Sequence, residues 1–163
     1  MIGLQLPDLK TATAHLFARP SFDYFLLKEA VITTSNTYII DGGMKKDFFS
    51  QEELDAMRDT ALMEWKAIRP VCFSLIKGTR LPLSFQIALA LSRDNIQRLI
   101  QQNPVPFSMD EIGGLYLNFR YEKHGLTAIS GTSLNTFSMN KGLEQLWDDT
   151  VRKLLRQLAI PFE

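Results

Sequence analysis

Apolar and polar residues alternate in several short stretches of the chain, a period that is typical of strands with one face on a core. The opening "MIGLQL" alternates in this way, and so does "LSFQIALALS" at residues 83–92. Residues 21–43 and 113–133 are rich in aromatic and β-branched side chains, and a turn interrupts each segment. Each of these two segments therefore predicts a pair of strands.

The first half of the chain also carries two helical patterns. Pro7 and Asp8 suit the first turn of a helix that runs to about Phe17. "SQEE" at residues 50–53 matches a capping box, and the apolar face that follows continues at helical spacing. Pro70 is expected to kink or end this second helix.

The second half repeats this arrangement. A helix is predicted to begin at Ser92 with "RDNIQRLIQQ", and another over residues 140–160. The latter places seven apolar residues on one stripe, namely Leu143, Leu146, Trp147, Val151, Leu154, Leu155 and Leu158. Acidic residues lie toward its start and basic residues toward its end, the order that the helix dipole favours.

The predicted order is strand, helix, strand, strand, helix, and then the same again. This predicts an α+β fold, with an antiparallel sheet and helices packed on one face. We expect residues 1–163 to form a single domain. Leu4 aligns with Leu89 at a spacing of 85, and Phe49 with Phe137 at a spacing of 88. A duplicated β-α-β-β-α unit, with half-repeats at 1–80 and 81–163, is therefore one interpretation, and chance similarity is the other.

Charge and cysteine content narrow the functional classes. Lys and Arg together number 18, as do Asp and Glu, and each half of the chain is balanced. No net field attracts nucleic acid, so we expect a nucleic-acid partner to be absent. Cys72 is the single cysteine, which excludes an internal disulfide and a multi-cysteine metal site. Without a signal-peptide pattern or a long apolar run, the sequence predicts a cytoplasmic protein outside the membrane, and no motif indicates a metal or cofactor.

The stretch "RYEKHGLTAISGT" at residues 120–132 raises the question of an active site. Glycine at 125 and the polar residues before it favour a hairpin turn, so His124 is interpreted as a turn residue. The first hypothesis is a non-catalytic binding or assembly module that uses the sheet face away from the helices, with a protein partner or a second copy. Alternation along the strands suggests contact residues there: Lys28, Tyr38, Asn118, Arg120 and Glu122, with His124 beside them.

The second hypothesis is an enzyme that acts on a small molecule. His124, Glu122 or Asp41 would then perform acid–base chemistry in a pocket between the halves. This hypothesis requires these side chains to converge in a concave site. The other histidine, His15, is predicted at a surface or boundary position of the first helix, without a metal-binding partner at helical spacing.

One segment resembles a known family. "FDYFLLKEAVITTSNTYIIDGGMKKDFFSQEEL", residues 22–54, has an acidic–aromatic start, a T-x-N-T-Y-x-I-D-G centre and an F-F-S-x-E-E helix entry. These features resemble an uncharacterised bacterial domain family without an assigned function. Because that family has no known catalytic residues, the resemblance implies a bacterial protein and assigns no role to any position here.

Overall fold

The fold is a six-stranded antiparallel sheet with helices on one side, seen in a computed structural model that describes residues 1–57, 61–78, 80–123 and 125–163. The strands are β1 Gly3–Gln5, β2 Leu26–Thr33, β3 Thr37–Asp41, β4 Ser84–Ala90, β5 Ile112–Glu122 and β6 Gly125–Leu134. Their order across the sheet is β1-β6-β5-β4-β2-β3, and every neighbouring pair is antiparallel. The predicted α+β class is confirmed.

Within the described residues, five α-helices connect or follow the strands. They are α1 Leu9–Thr13, α2 Gln51–Ala56, α3 Trp65–Ile76, α4 Arg93–Gln102 and α5 Gly142–Gln157. A π-helical turn, Ala14–Ala18, continues α1 directly. Short 3-10 turns occupy Pro20–Phe22, Lys46–Phe48 and Met109–Glu111.

The core lies between one face of the sheet and the helices. Alternate strand residues are buried there, including Leu27, Ile32, Phe85, Ile87, Leu89, Leu117, Phe119 and Ala128. The ring of Phe17 contacts those of Phe85 and Trp65, and the ring of Phe22 contacts that of Phe119. Each fully buried side chain of this size contributes roughly 1.5–3 kcal/mol relative to exposure, so this layer supplies most of the fold's stability.

The second helix begins as predicted and ends earlier. The capping box of Ser50 and Glu53 is formed, but α2 stops at Ala56. Residues 61–64 then run as an extended segment between the start of β2 and the chain after β3. Met63 accepts a hydrogen bond from the Leu27 N–H at 2.8 Å and donates its own N–H to the Gly42 carbonyl at 2.8 Å. Sheet-like backbone pairing has therefore replaced helical pairing.

Helix α3 starts after this segment and continues through Pro70 to Ile76. The prediction that Pro70 could end the helix was wrong, because α3 continues past it and the helix is interrupted upstream, between α2 and α3. Close packing explains the interruption further upstream. A Cβ on Gly42 would lie 1.8 Å from the Leu27 carbonyl oxygen, so only glycine allows the chain to approach β2 there.

The strand order does not confirm an internal duplication. The two halves share their order of elements, but they contribute differently to the sheet. In the second half, β4, β5 and β6 are consecutive neighbours, whereas in the first half β1 lies at the far edge beside β6. The two halves therefore have similar hydrophobic patterns because their strands and helices have similar local environments, and this similarity does not require a duplication.

Candidate functional site on the open face of the sheet

The sheet face opposite the core presents mainly small and polar side chains, with a few β-branched apolar ones, in rows that cross the strands. This surface is called the open face below. One row is Gln5, Thr127, Arg120, Gln86, Val31 and Ile39. The next row is Gly3, Ile129, Asn118, Ala88, Glu29 and Asp41. Because each row alternates with a buried row, the open face follows directly from the pleat of the strands.

A β-bulge shapes the open face at the start of β2. The pairing of β2 with β4 shifts between Leu27 and Glu29, which leaves Lys28 and Glu29 both exposed. The Lys28 ammonium lies 4.7 Å from the centroid of the Tyr116 ring, within cation–π range. A bulge commonly re-aims a side chain in this way. The bulge thus directs a positive charge onto an aromatic ring on the open face.

Next to this pair lies a concavity of about 590 Å³. Its walls include Lys28, Glu29, Asp41, Gln86, Ala88, Tyr116 and Asn118. Lys28 and Asn118, two of the predicted contact residues, therefore lie on the same depression. Most of its walls are polar or small side chains, unlike the mainly hydrophobic and aromatic lining of a typical small-molecule pocket.

Arg120 and Glu122 lie further along β5 on the same face. Arg120 Nε is 3.7 Å from Glu122 Oε1, and both side chains are more than half exposed. An exposed ion pair of this kind contributes little to stability, since water and salt screen it. Both side chains therefore remain accessible for contacts with another molecule.

Tyr38 lies on the other side of the sheet. It pairs with Ile32, which is fully buried, so Tyr38 points to the helix-covered side at the edge of the sheet. Its predicted place beside Lys28 is not the one observed. The physical reason is the bulge, because it turns Lys28 to the open face while Ile32 keeps the opposite orientation. His124, the remaining predicted contact, falls outside the described residues.

The carboxylates of the enzyme hypothesis do not converge. Asp41 and Glu122 lie three strands and four residues apart, which corresponds to roughly 20 Å across the sheet. Asp41 Oδ1 accepts the Gly43 N–H at 2.9 Å, and Lys45 Nζ donates to Oδ2 at 3.2 Å. The Gly43 hydrogen bond and the Lys45 ammonium lower the pKa of Asp41. Asp41 therefore acts as the ionised cap of a turn.

A second depression, of about 1000 Å³, lies at the start of α4. Charged side chains line it, but several already hold the structure together. The Arg93 guanidinium donates to the carbonyls of Met109 and Ile112, each at 2.6 Å. Asp23 accepts two hydrogen bonds from Arg69, at 2.8 and 3.1 Å. These engagements favour a role in anchoring loops over a role in binding ligands.

The burial of one histidine, His15, was not predicted. The π-helical turn Ala14–Ala18 buries His15 together with Leu16 and Phe17, so the predicted surface or boundary position was wrong. The Arg19 guanidinium can only donate, at 3.2 Å, to Nε2 of His15. Nδ1 therefore carries the proton and donates to Ser21 Oγ at 2.6 Å. Burial, assisted by Arg19, lowers the pKa of His15, which favours the neutral ring.

A second polar network, also missed, links β6 to α5 inside the core. Ser130 Oγ donates to Asp148 Oδ1 at 2.5 Å and accepts the Ile2 N–H at 3.0 Å. Neither side chain belongs to a motif, so nothing in the spacing of the sequence marks them as partners. Among the residues that the structure describes, no three metal-ligating side chains of His, Cys, Asp or Glu gather into a possible metal site.

Comparison with known proteins identifies the family. The chain belongs to the family of unknown function DUF5721. The DUF5721 match spans residues 15–163, so it includes strands β2 to β6 and nearly all of the open face. Membership in an uncharacterised family is therefore confirmed. No curated protein and no solved structure matches the chain. Within the described ranges, no helix is long and apolar enough to span a membrane.

Proposed function

We propose that this DUF5721 chain is a non-catalytic binding module and that the open face is its working surface. The observation that carries the proposal is the pair of cross-strand rows on the open face, which extend over all six strands and carry most of its polar side chains. Large exposed sheet faces of this kind suit partners that contact many side chains at once. Lys28, Asn118, Arg120 and Glu122 are the contact residues that we assign to it.

The dimensions of the open face favour a protein partner. Six strands at the usual spacing are about 24 Å wide, and four alternate residues of one strand extend about 20 Å. The resulting area is at most roughly 500 Å², because β1 and β3 are shorter than this, and it lies in the range of a small or transient protein interface. The concavity beside Tyr116 carries charged and amide side chains, among them Lys28, Glu29 and Asn118, which can contact polar side chains of a protein partner.

The charge of the open face supports the same choice. Lys28 and Arg120 lie among Glu29, Asp41 and Glu122, so both signs are interspersed. A phosphate backbone would require an excess of basic groups. The separation of Asp41 from Glu122 supports a non-catalytic role. A bacterial, cytoplasmic location remains a prediction from the resemblance and from the single cysteine.

The test uses a substitution that blocks the open face without entering the core. Ala88 lies at its centre and is half-buried, so Ala88→Arg would extend a long side chain across the concavity. Gln145→Arg, on the exposed side of α5, is the matched control. Both variants are compared with the wild type by affinity purification from the native cell, followed by native mass spectrometry.

We expect a stoichiometric protein partner with the wild type and with Gln145→Arg, and its loss with Ala88→Arg. Circular dichroism first verifies that both variants are folded. A partner that persists in Ala88→Arg would rule out the open face as the binding surface. A bound mass of small-molecule size that Ala88→Arg removes would instead favour the enzyme or ligand-sensor hypothesis.

A further inference from the structure

The two edge strands of the sheet, β1 and β3, differ in the hydrogen bonds of their outward backbone groups. At the β1 edge, the Gln5 N–H donates to the Glu163 carbonyl at 3.1 Å, and the Glu163 N–H donates back at 2.9 Å. Glu163 therefore closes this edge at Gln5. At the other edge, no described strand lies beyond β3, and no described residue pairs with the outer backbone groups of Thr37, Ile39 or Asp41.

The hydrogen bonds at both ends of the β2–β3 hairpin show which groups of β3 point outward. Gly42 donates its N–H to Lys28 at 3.0 Å, and Thr34 donates to Asn36 at 2.9 Å. In an antiparallel ladder, hydrogen-bonded pairs occur at every second residue. Even-numbered residues of β3 therefore bond to β2, whereas the backbone N–H and C=O of Thr37, Ile39 and Asp41 point away from the sheet.

Among the described residues, this edge carries little of the usual protection against pairing. Natural edge strands commonly carry lysine, proline or a bulge that prevents another strand from joining. The sequence of β3, "TYIID", has no lysine or proline, and its pairing with β2 is regular. Ile39 is 69% exposed. Residues 61–64 bond to Leu27, Gly42 and Met44, between β2 and the chain that follows β3.

We propose that β3 pairs antiparallel with β3 of a second copy of this chain, about a two-fold axis at Ile39. Ile39 of each copy then faces its equivalent as a hydrogen-bonded pair. Thr37 faces Asp41, and Tyr38 faces Ile40, once on each side of the axis. The outward backbone N–H and C=O groups of Thr37, Ile39 and Asp41 then all gain hydrogen-bond partners. The two six-stranded sheets merge into one sheet of twelve strands.

The chemistry of this register favours a second copy as the occupant. Each Asp41 carboxylate faces a threonine hydroxyl, so no like charges oppose each other. On the helix-covered side, Tyr38 against Ile40 is an aromatic–β-branched pair, a combination that stabilises cross-strand neighbours. On the open face, Val31 and Ile39 of both copies form one continuous apolar stripe across the axis. The pairing is independent of the proposed function and would extend the open face.

The first experiment measures mass in solution. Sedimentation equilibrium of the full chain, across roughly a hundredfold range of concentration, is expected to show a species of twice 18.6 kDa. Ile39→Lys places like charges opposite each other at the axis and should weaken association by at least about tenfold. Thr127→Lys adds the same charge on the open face away from the edge and should leave association unchanged.

Ile39→Pro is a second disruptive variant. Its missing N–H is one that β2 does not use, so the variant should fold and remain monomeric. A wild-type chain that is monomeric throughout the range would overturn the proposal. So would a dimer that both Ile39 variants leave intact.

The second experiment tests the register. In a Cys72→Ser background, Ile39→Cys should be cross-linked efficiently by a short bismaleimide, because the axis brings the two side chains together. Gln5→Cys, at the closed edge, is the matched control and should react as single chains. Equal cross-linking at both edges, or cross-linking at Gln5→Cys alone, would refute pairing through β3.

Discussion

Phe119 and Arg120 are neighbours on β5, yet one belongs to the helix-covered face and the other to the open face. Phe119 is 1% exposed and contacts the ring of Phe22, whereas the Arg120 side chain is more than half exposed and contacts Glu122 at 3.7 Å. The same strand thus builds two surfaces with different environments. The comparison suggests that stability resides in one face and recognition in the other, a division that mutations can test.

The largest effect is expected at Phe119. Phe119→Ala removes a buried ring and leaves a cavity against Phe22, so the free energy of unfolding should fall by about 3–5 kcal/mol. Arg120→Ala, one residue away, should change it by no more than about 0.5 kcal/mol. Urea denaturation followed by circular dichroism measures both variants. Equal losses would show that the open face is also part of the stabilising core.

A smaller effect is expected from the buried hydroxyl of Ser130. Ser130→Ala removes the donor to Asp148 and the acceptor for the Ile2 N–H, which should cost about 1–3 kcal/mol of unfolding free energy. Thr127→Val removes a hydroxyl from the open face of the same strand and keeps its β-branched shape. It should be nearly neutral in the same denaturation experiment. A neutral Ser130→Ala would mean that water replaces the lost hydroxyl.

The smallest effect on stability is expected in a comparison of thiol reactivity between the helix-covered side and the open face. Cys72 is fully buried on α3, and burial raises its pKa to about 11. At pH 8 its thiolate fraction is then on the order of one in a thousand. Labelling by a disulfide reagent should be slow until urea unfolds the chain. Gln86→Cys in a Cys72→Ser background should react at the rate of an ordinary exposed thiol, and comparable rates would indicate that α3 opens readily.

Hydrophobic periodicity and capping signals predicted most of the strands and helices. The period of two placed Phe85, Ile87 and Leu89 on one buried face, and the capping box placed the start of α2 at Gln51. These signals are local, because a side chain's environment repeats with the geometry of its own strand or helix. The end of α2 and the continuation of α3 through Pro70 could not be predicted from local signals. They depend on residues distant in sequence that form hydrogen bonds with the backbone of residues 61–64.

The alternation of residues along the strands also predicted part of the candidate site. Asn118, Arg120 and Glu122 alternate on β5 and share the open face, as their spacing predicts. Lys28 joins them only because β2 has a bulge, and Tyr38 lies on the other side for the same reason. A bulge is set by how two strands pair, which periodicity within one strand does not encode.

By itself, the sequence determined the fold class, most of the strands and helices, and the balance of charge that disfavours polyanionic partners. The tertiary structure alone decided the strand order, the place of β1 beside β6 and the contrast between a closed and an open edge. It also decided the burial of His15 and the partnership of Ser130 with Asp148. Periodicity reports which side of an element is apolar, whereas these features depend on which distant elements meet, and only packing of the whole chain selects among the possible pairings.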